Sequence, residues 1–143
     1  MKNLFLSLVL VMVGLVADSQ VITVNVHTIQ NFNHTSSMST VDAMRLDLIE
    51  YPSYGSGENI YTFDINKKIL TLKNSNGVFT SEIVKVNKNK NTLDCVVFDG
   101  EFNTLFLLGE TSDGDMIFLM ENIFNGRVGG AFSMNSDFDY SVK

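Results

Sequence analysis

Residues 92–134 read TLDCVVFDGEFNTLFLLGETSDGDMIFLMENIFNGRVGGAFSM, and this stretch decides the fold. Three dipeptides, Asp99-Gly100, Asp113-Gly114 and Asn125-Gly126, each separate two short runs rich in Val, Ile, Leu, Phe and Thr. Asn, Asp and Gly reach positive φ at low cost, and a type I′ turn needs positive φ at both central residues. Each pair therefore predicts a tight reversal between antiparallel strands. Runs 104–108 and 116–120 are apolar at every position except Thr104, so both of their faces need cover. Gly129-Gly130 suggests a bulge or a close backbone approach in the last of these strands.

The same pattern extends upstream. Asn76-Gly77 divides run 69–73 from run 78–86, and Asn66-Lys67 divides run 69–73 from 60–65, where Tyr61, Phe63 and Ile65 share one face. Residues 21–29 alternate cleanly, with Ile22, Val24 and Val26 on one side and Thr23, Asn25 and His27 on the other. Residues 30–39 are polar and read as a surface loop, as do 51–59 with Pro52, Gly55 and Gly57. Between these loops, residues 39–49 fit either a strand or a short helix, because Val41, Met44, Leu48 and Ile49 also form a helical stripe behind Ser39. The expected architecture is all-β, an antiparallel up-and-down meander of about eight to nine short strands. It closes wholly or partly into a barrel, with a sandwich as the other all-β solution. The tail from Asn135 reads as expendable, or, like the 30–59 region, as a cover for the two doubly apolar strands.

At the N-terminus, Lys2 precedes an apolar stretch over residues 4–16, with Ala17 and Ser19 beyond it. The stretch is shorter than the roughly 20 apolar residues that span a bilayer, and the small residues supply a cleavage junction. Residues 1–19 are therefore expected to be a signal peptide, cut after Ser19 or after Ala17. Contact with a membrane is then confined to export, and the destination is secreted or periplasmic. Residues 20–143 form one domain, large enough to bury about two thirds of its unfolded surface. Removing Lys2 and Asp18 together leaves the net charge at −6, which argues against nucleic acid as a partner. The single cysteine, Cys95, excludes an internal disulfide, so the core must carry stability. Asn33-His34-Thr35 matches a glycosylation sequon, which matters only in a eukaryotic secretory pathway.

Chemistry is sparsely marked. Glu110, Asp113 and Asp115 gather near one turn but lack the spacing of a calcium loop, so they are weak metal candidates. Asp99 and Glu101 flank a turn glycine; with Asp94 and the preceding three they would serve a carboxylate- or metal-dependent hydrolase only if the fold brought them into one concavity. His27 and His34 have no evident partner, and Cys95 between Leu93 and Val97 reads as a small core hydrophobe. No nucleophile elbow, phosphate loop or dinucleotide fingerprint occurs, and no cofactor is implied. Recognition remains. Met116, Phe118 and Met120 are candidates to line an adaptable apolar interior, and Tyr51 and Tyr54 to form a contact loop. A barrel invites comparison with lipocalins and fatty-acid-binding proteins, but the Gly-x-Trp opening of lipocalins is absent from a chain without tryptophan. The expected function is binding of a small apolar ligand or a protein partner without catalysis, with a structural assembly subunit as a further alternative.

Overall fold

The computed structural model describes residues 20–35, 54–89, 92–111, 114–124, 127–134 and 137–143. These form nine strands: β1 (Val21–Thr35), β2 (Tyr54–Asp64), β3 (Ile69–Asn74), β4 (Gly77–Asn89), β5 (Thr92–Phe98), β6 (Asn103–Glu110), β7 (Met116–Phe124), β8 (Arg127–Met134) and β9 (Phe138–Val142). Strands β2 to β8 are antiparallel neighbours in chain order, as the succession of hairpins predicts. Strand β1 joins the two ends of this meander. Its residues 21–29 pair with β2, and its residues 30–35 pair with β8, which curls the sheet into a nearly closed eight-stranded barrel. Strand β9 takes over along β1 where β8 stops, opposite Ile22 to Val26.

Alternation sends one side of each strand inward. Val24, Val26, Phe63, Leu93 and Cys95 are fully buried in a single core that also holds Phe106, Leu108 and Phe118. Aromatic rings dominate its centre: Phe63 meets Phe106 edge-on at 5.4 Å, and Tyr61 tilts against Phe118 at 5.3 Å. Those separations suit the ring quadrupoles. Ser133, opposite Phe118, is the polar intruder, and its Oγ is buried without a hydrogen-bond partner.

Strand β7 is buried on both sides, as expected, whereas on β6 the inward Phe106 and Leu108 are buried and the outward Leu105 and Leu107 are half-buried. Phe118 is buried within the core, while Ile117 and Leu119, on the outer side of the same strand, are buried apart from it. The C-terminal tail, one candidate for the outer cover, instead pairs with β1 and inserts Phe138 into the core. It is therefore structural rather than expendable. Of the other candidate, residues 36–53 lie outside the described residues, as do residues 1–19, expected to be a signal peptide, and the strand-or-helix segment 39–49.

Three local readings need correction. Residues 30–35 continue β1, and residues 54–59 belong to β2, because a partner strand satisfies their backbones despite a polar, glycine-containing sequence. The register runs unbroken through Gly129 and Gly130; the irregularities fall instead between Val26 and Thr28 and between Ile83 and Lys85. Positive φ belongs to the glycines and not to the preceding Asn or Asp where both are described. Gly77, Gly100 and Gly114 have φ of 137°, 103° and 88°, and the only other such residue among those described is Lys68, at 55°. The β3–β4 turn thus uses Ser75 and Asn76 with Gly77 already paired to Asn74, and the β5–β6 loop spans four residues. Residues 111–115 connect Glu110 to Met116, closed by Thr111 N–H donating to Asp115 O at 2.8 Å. Phe124 pairs with Arg127, leaving residues 125–126 as the connection.

Candidate functional site

Strand direction puts the β3–β4 turn and the β5–β6 loop at the same end of the barrel, and there the interior is incompletely filled. A pocket of about 360 Å³ opens between β2, β3, β4, β5 and β6. Its floor and walls are Tyr61, Leu70, Leu72, Val97 and Phe106, inward residues that register aligns from strand to strand: Tyr61 lies opposite Leu72, which lies opposite Phe79. Phe79, half exposed, stands at the rim. Hydroxyls of Ser81 and Thr104 supply polar points, and Thr104 Oγ1 donates to Asn122 Oδ1 at 2.5 Å. The volume lies within the usual range of small-molecule sites, about 300–1,000 Å³, and a mostly apolar wall with few polar groups is their usual composition.

Asp99 is the one charged residue of the lining among the described residues. Its Oδ1 accepts from the backbone N–H groups of Phe102, at 2.8 Å, and Glu101, at 2.9 Å. These bonds, Phe102 foremost, hold the carboxyl below the ordinary aspartate range. The side chain is thus ionised and fixed by its own loop, with Oδ2 outside these bonds. Tyr61 is the complementary case: burial pushes its phenol up to about 12, so the hydroxyl stays protonated at neutral pH.

Of the residues singled out from sequence, Asp99 alone lines the pocket among those described. Phe118 fills the centre of the aromatic cluster, and Met116 and Met120 pack half-buried against the core without lining the pocket. Tyr54 begins β2 opposite Ile29; Tyr51 and Asp113 lie outside the described residues. Asp94 is exposed on the outer wall in register with Leu107. Asp99 and Glu101 sit at the mouth, whereas Glu110 and Asp115 are exposed at the far end of β6, about 25 Å away at the rise of a β-strand. Among the described residues no three His, Cys, Asp or Glu side chains are placed to hold a metal.

Two further side chains complete the picture. His27 does have partners: Nε2 lies 3.1 Å from Asp139 Oδ2, and Nδ1 lies 3.9 Å from Glu58 Oε1. Sequence spacing hid both, because β9 and β2 approach β1 only in the folded barrel. Cys95 is buried as expected, and desolvation, with Asp94 adding repulsion, pushes its thiol up to about 12. The pocket residues themselves carry the alternation of hairpins β2–β3–β4; their inward face was legible, but not the unfilled space between them. The chain matches no protein-family model, no curated protein and no solved structure.

Proposed function

We propose that residues 20–143 act, after export, as a non-enzymatic barrel that binds a small apolar molecule in its mouth. The observation that carries this reading is the pocket of about 360 Å³ walled by Tyr61, Leu70, Leu72, Val97 and Phe106. The distance between the mouth carboxylates and those at the far end of β6 weighs against a paired-carboxylate hydrolase. Gln20, the first residue after the expected cut, is tied into the barrel: its carbonyl accepts from Ile65 N–H at 3.1 Å, and its Oε1 accepts from Lys88 Nζ. Cleavage after Ser19 would keep both contacts.

Titration of the purified mature protein with the neutral dye N-phenyl-1-naphthylamine tests the binding. Saturable fluorescence enhancement is expected, and Leu72→Arg should abolish it while leaving the thermal melt cooperative. A wild-type protein that gives no saturable signal overturns the reading. A second reading, assembly through the outer wall, draws on Ile69, Val84 and Phe98, which are 39 %, 50 % and 39 % exposed on adjacent strands. Light scattering decides between them, since a monomer at working concentration removes the assembly subunit.

A further inference from the structure

We propose that the mouth prefers amphipathic cations, an alkyl or aryl amine whose apolar body enters the pocket and whose ammonium group meets Asp99 Oδ2. This rests on the ligand-binding reading above and specifies the chemistry of its ligand. Charge is the first argument. Among the described residues no Lys, Arg or His lines the pocket, and Asp99 is the only ionisable side chain of the lining that is charged at neutral pH. A fatty acid would bring its carboxylate to that rim with no counter-ion and a like charge nearby, whereas an ammonium finds a ready acceptor.

Preorganisation is the second argument. Glu101 and Phe102 N–H groups already hold Oδ1, so the carboxylate need not be ordered when ligand arrives. Aromatic faces are the third. Tyr61, Phe79 and Phe106 belong to the same lining, and an ammonium near such rings gains further attraction. The net charge of −6 draws cations toward the molecule as a whole. Size follows from the volume: at about 30 Å³ per water-sized group, the pocket has room for about a dozen. An amine with about ten carbons fits.

The test compares n-decylammonium, n-decanol and n-decanoate, one chain with three head groups, by displacement of N-phenyl-1-naphthylamine from the mature protein at low ionic strength. The expected order is ammonium at least tenfold tighter than alcohol, with decanoate weakest and the ammonium advantage shrinking in salt. Asp99→Asn keeps an oxygen for the Glu101 and Phe102 N–H groups and removes the charge; it should bring decylammonium to the affinity of decanol while the melt stays cooperative. If that variant melts early, the wild-type order decides alone. Equal displacement by all three, or tighter decanoate, overturns the cation preference and leaves the binding barrel standing. Dye that never binds overturns both.

Discussion

Cys95 and Tyr61 are both buried, and in both burial pushes the pKa up to about 12. The unfolded chain ionises them at about 8.5 and 10. The neutral forms are thus favoured by folding, a contribution fully present below about pH 8.5 and lost as the pH rises toward 12. Melts between pH 8 and 12 should show that decline, and Cys95 should react with a disulfide reagent in native protein only at the rate of unfolding. The acid side has the opposite sign. Asp64 accepts from Lys67 N–H at 3.0 Å, and this bond holds its carboxyl low, as the Phe102 and Glu101 N–H groups hold that of Asp99. Their contribution is present above the ordinary aspartate value, about 3.9, and fades as the pH falls below it. Two substitutions probe single positions. Gly114→Val should cost about 1 kcal/mol or more, because φ of 88° strains a β-branched residue even though the nearest atom to a new Cβ, Glu110 Oε1, is 3.7 Å away. Ser133→Ala should be neutral or stabilising, since it removes a buried hydroxyl oxygen that has no partner; a lower melting midpoint would show that the hydroxyl is hydrogen-bonded after all.

At the scale of strands, β7 separates two buried environments. Phe118→Ala and Leu119→Ala should each cost about 2–5 kcal/mol in denaturant melts, one by hollowing the aromatic core and the other by uncovering the outer face. A tolerated Leu119→Ala would mean that this face is loosely held. Phe138→Ala should cost about 3 kcal/mol or more, since its ring is buried 6.3 Å from that of Phe118. Strands β3 and β5 were legible from alternating runs and β6 and β7 from short continuous apolar runs, with turn glycines marking their limits. The ends of β1 and β2 were not. Asn31, Asn33 and Gly55 have weak strand preference, and pairing with β8 and β1 overrides it. Strand β9 was missed although Phe138, Tyr140 and Val142 alternate with Asp139 and Ser141, because five residues at the end of a chain become a strand only where β1 offers an edge. The candidate site was legible as an inward face and not as a space, since a gap depends on how rings from five strands fill the barrel.

For the whole molecule, export makes a direct prediction: fused to a secretion reporter, residues 1–19 should be removed and the mature N-terminus should be Gln20, with intact Met1 on exported protein as the opposing result. The seam along β1 governs how the barrel comes together. Seven of its strands can assemble as successive hairpins, each contact local in the chain. The pairing of β1 with β9 joins distant segments, and His27 and Asp139, which meet across it, are 112 residues apart. Such a closure carries the loop entropy of nearly the whole domain before any contact compensates. Refolding should therefore be slow for a domain of this size, on the order of milliseconds to seconds. Because closure of this seam is the slow step, substitutions in β9 should retard refolding as well as accelerate unfolding. Until then β1 presents a bare strand edge, and the half-closed sheet is the species most prone to join a neighbour's edge and aggregate.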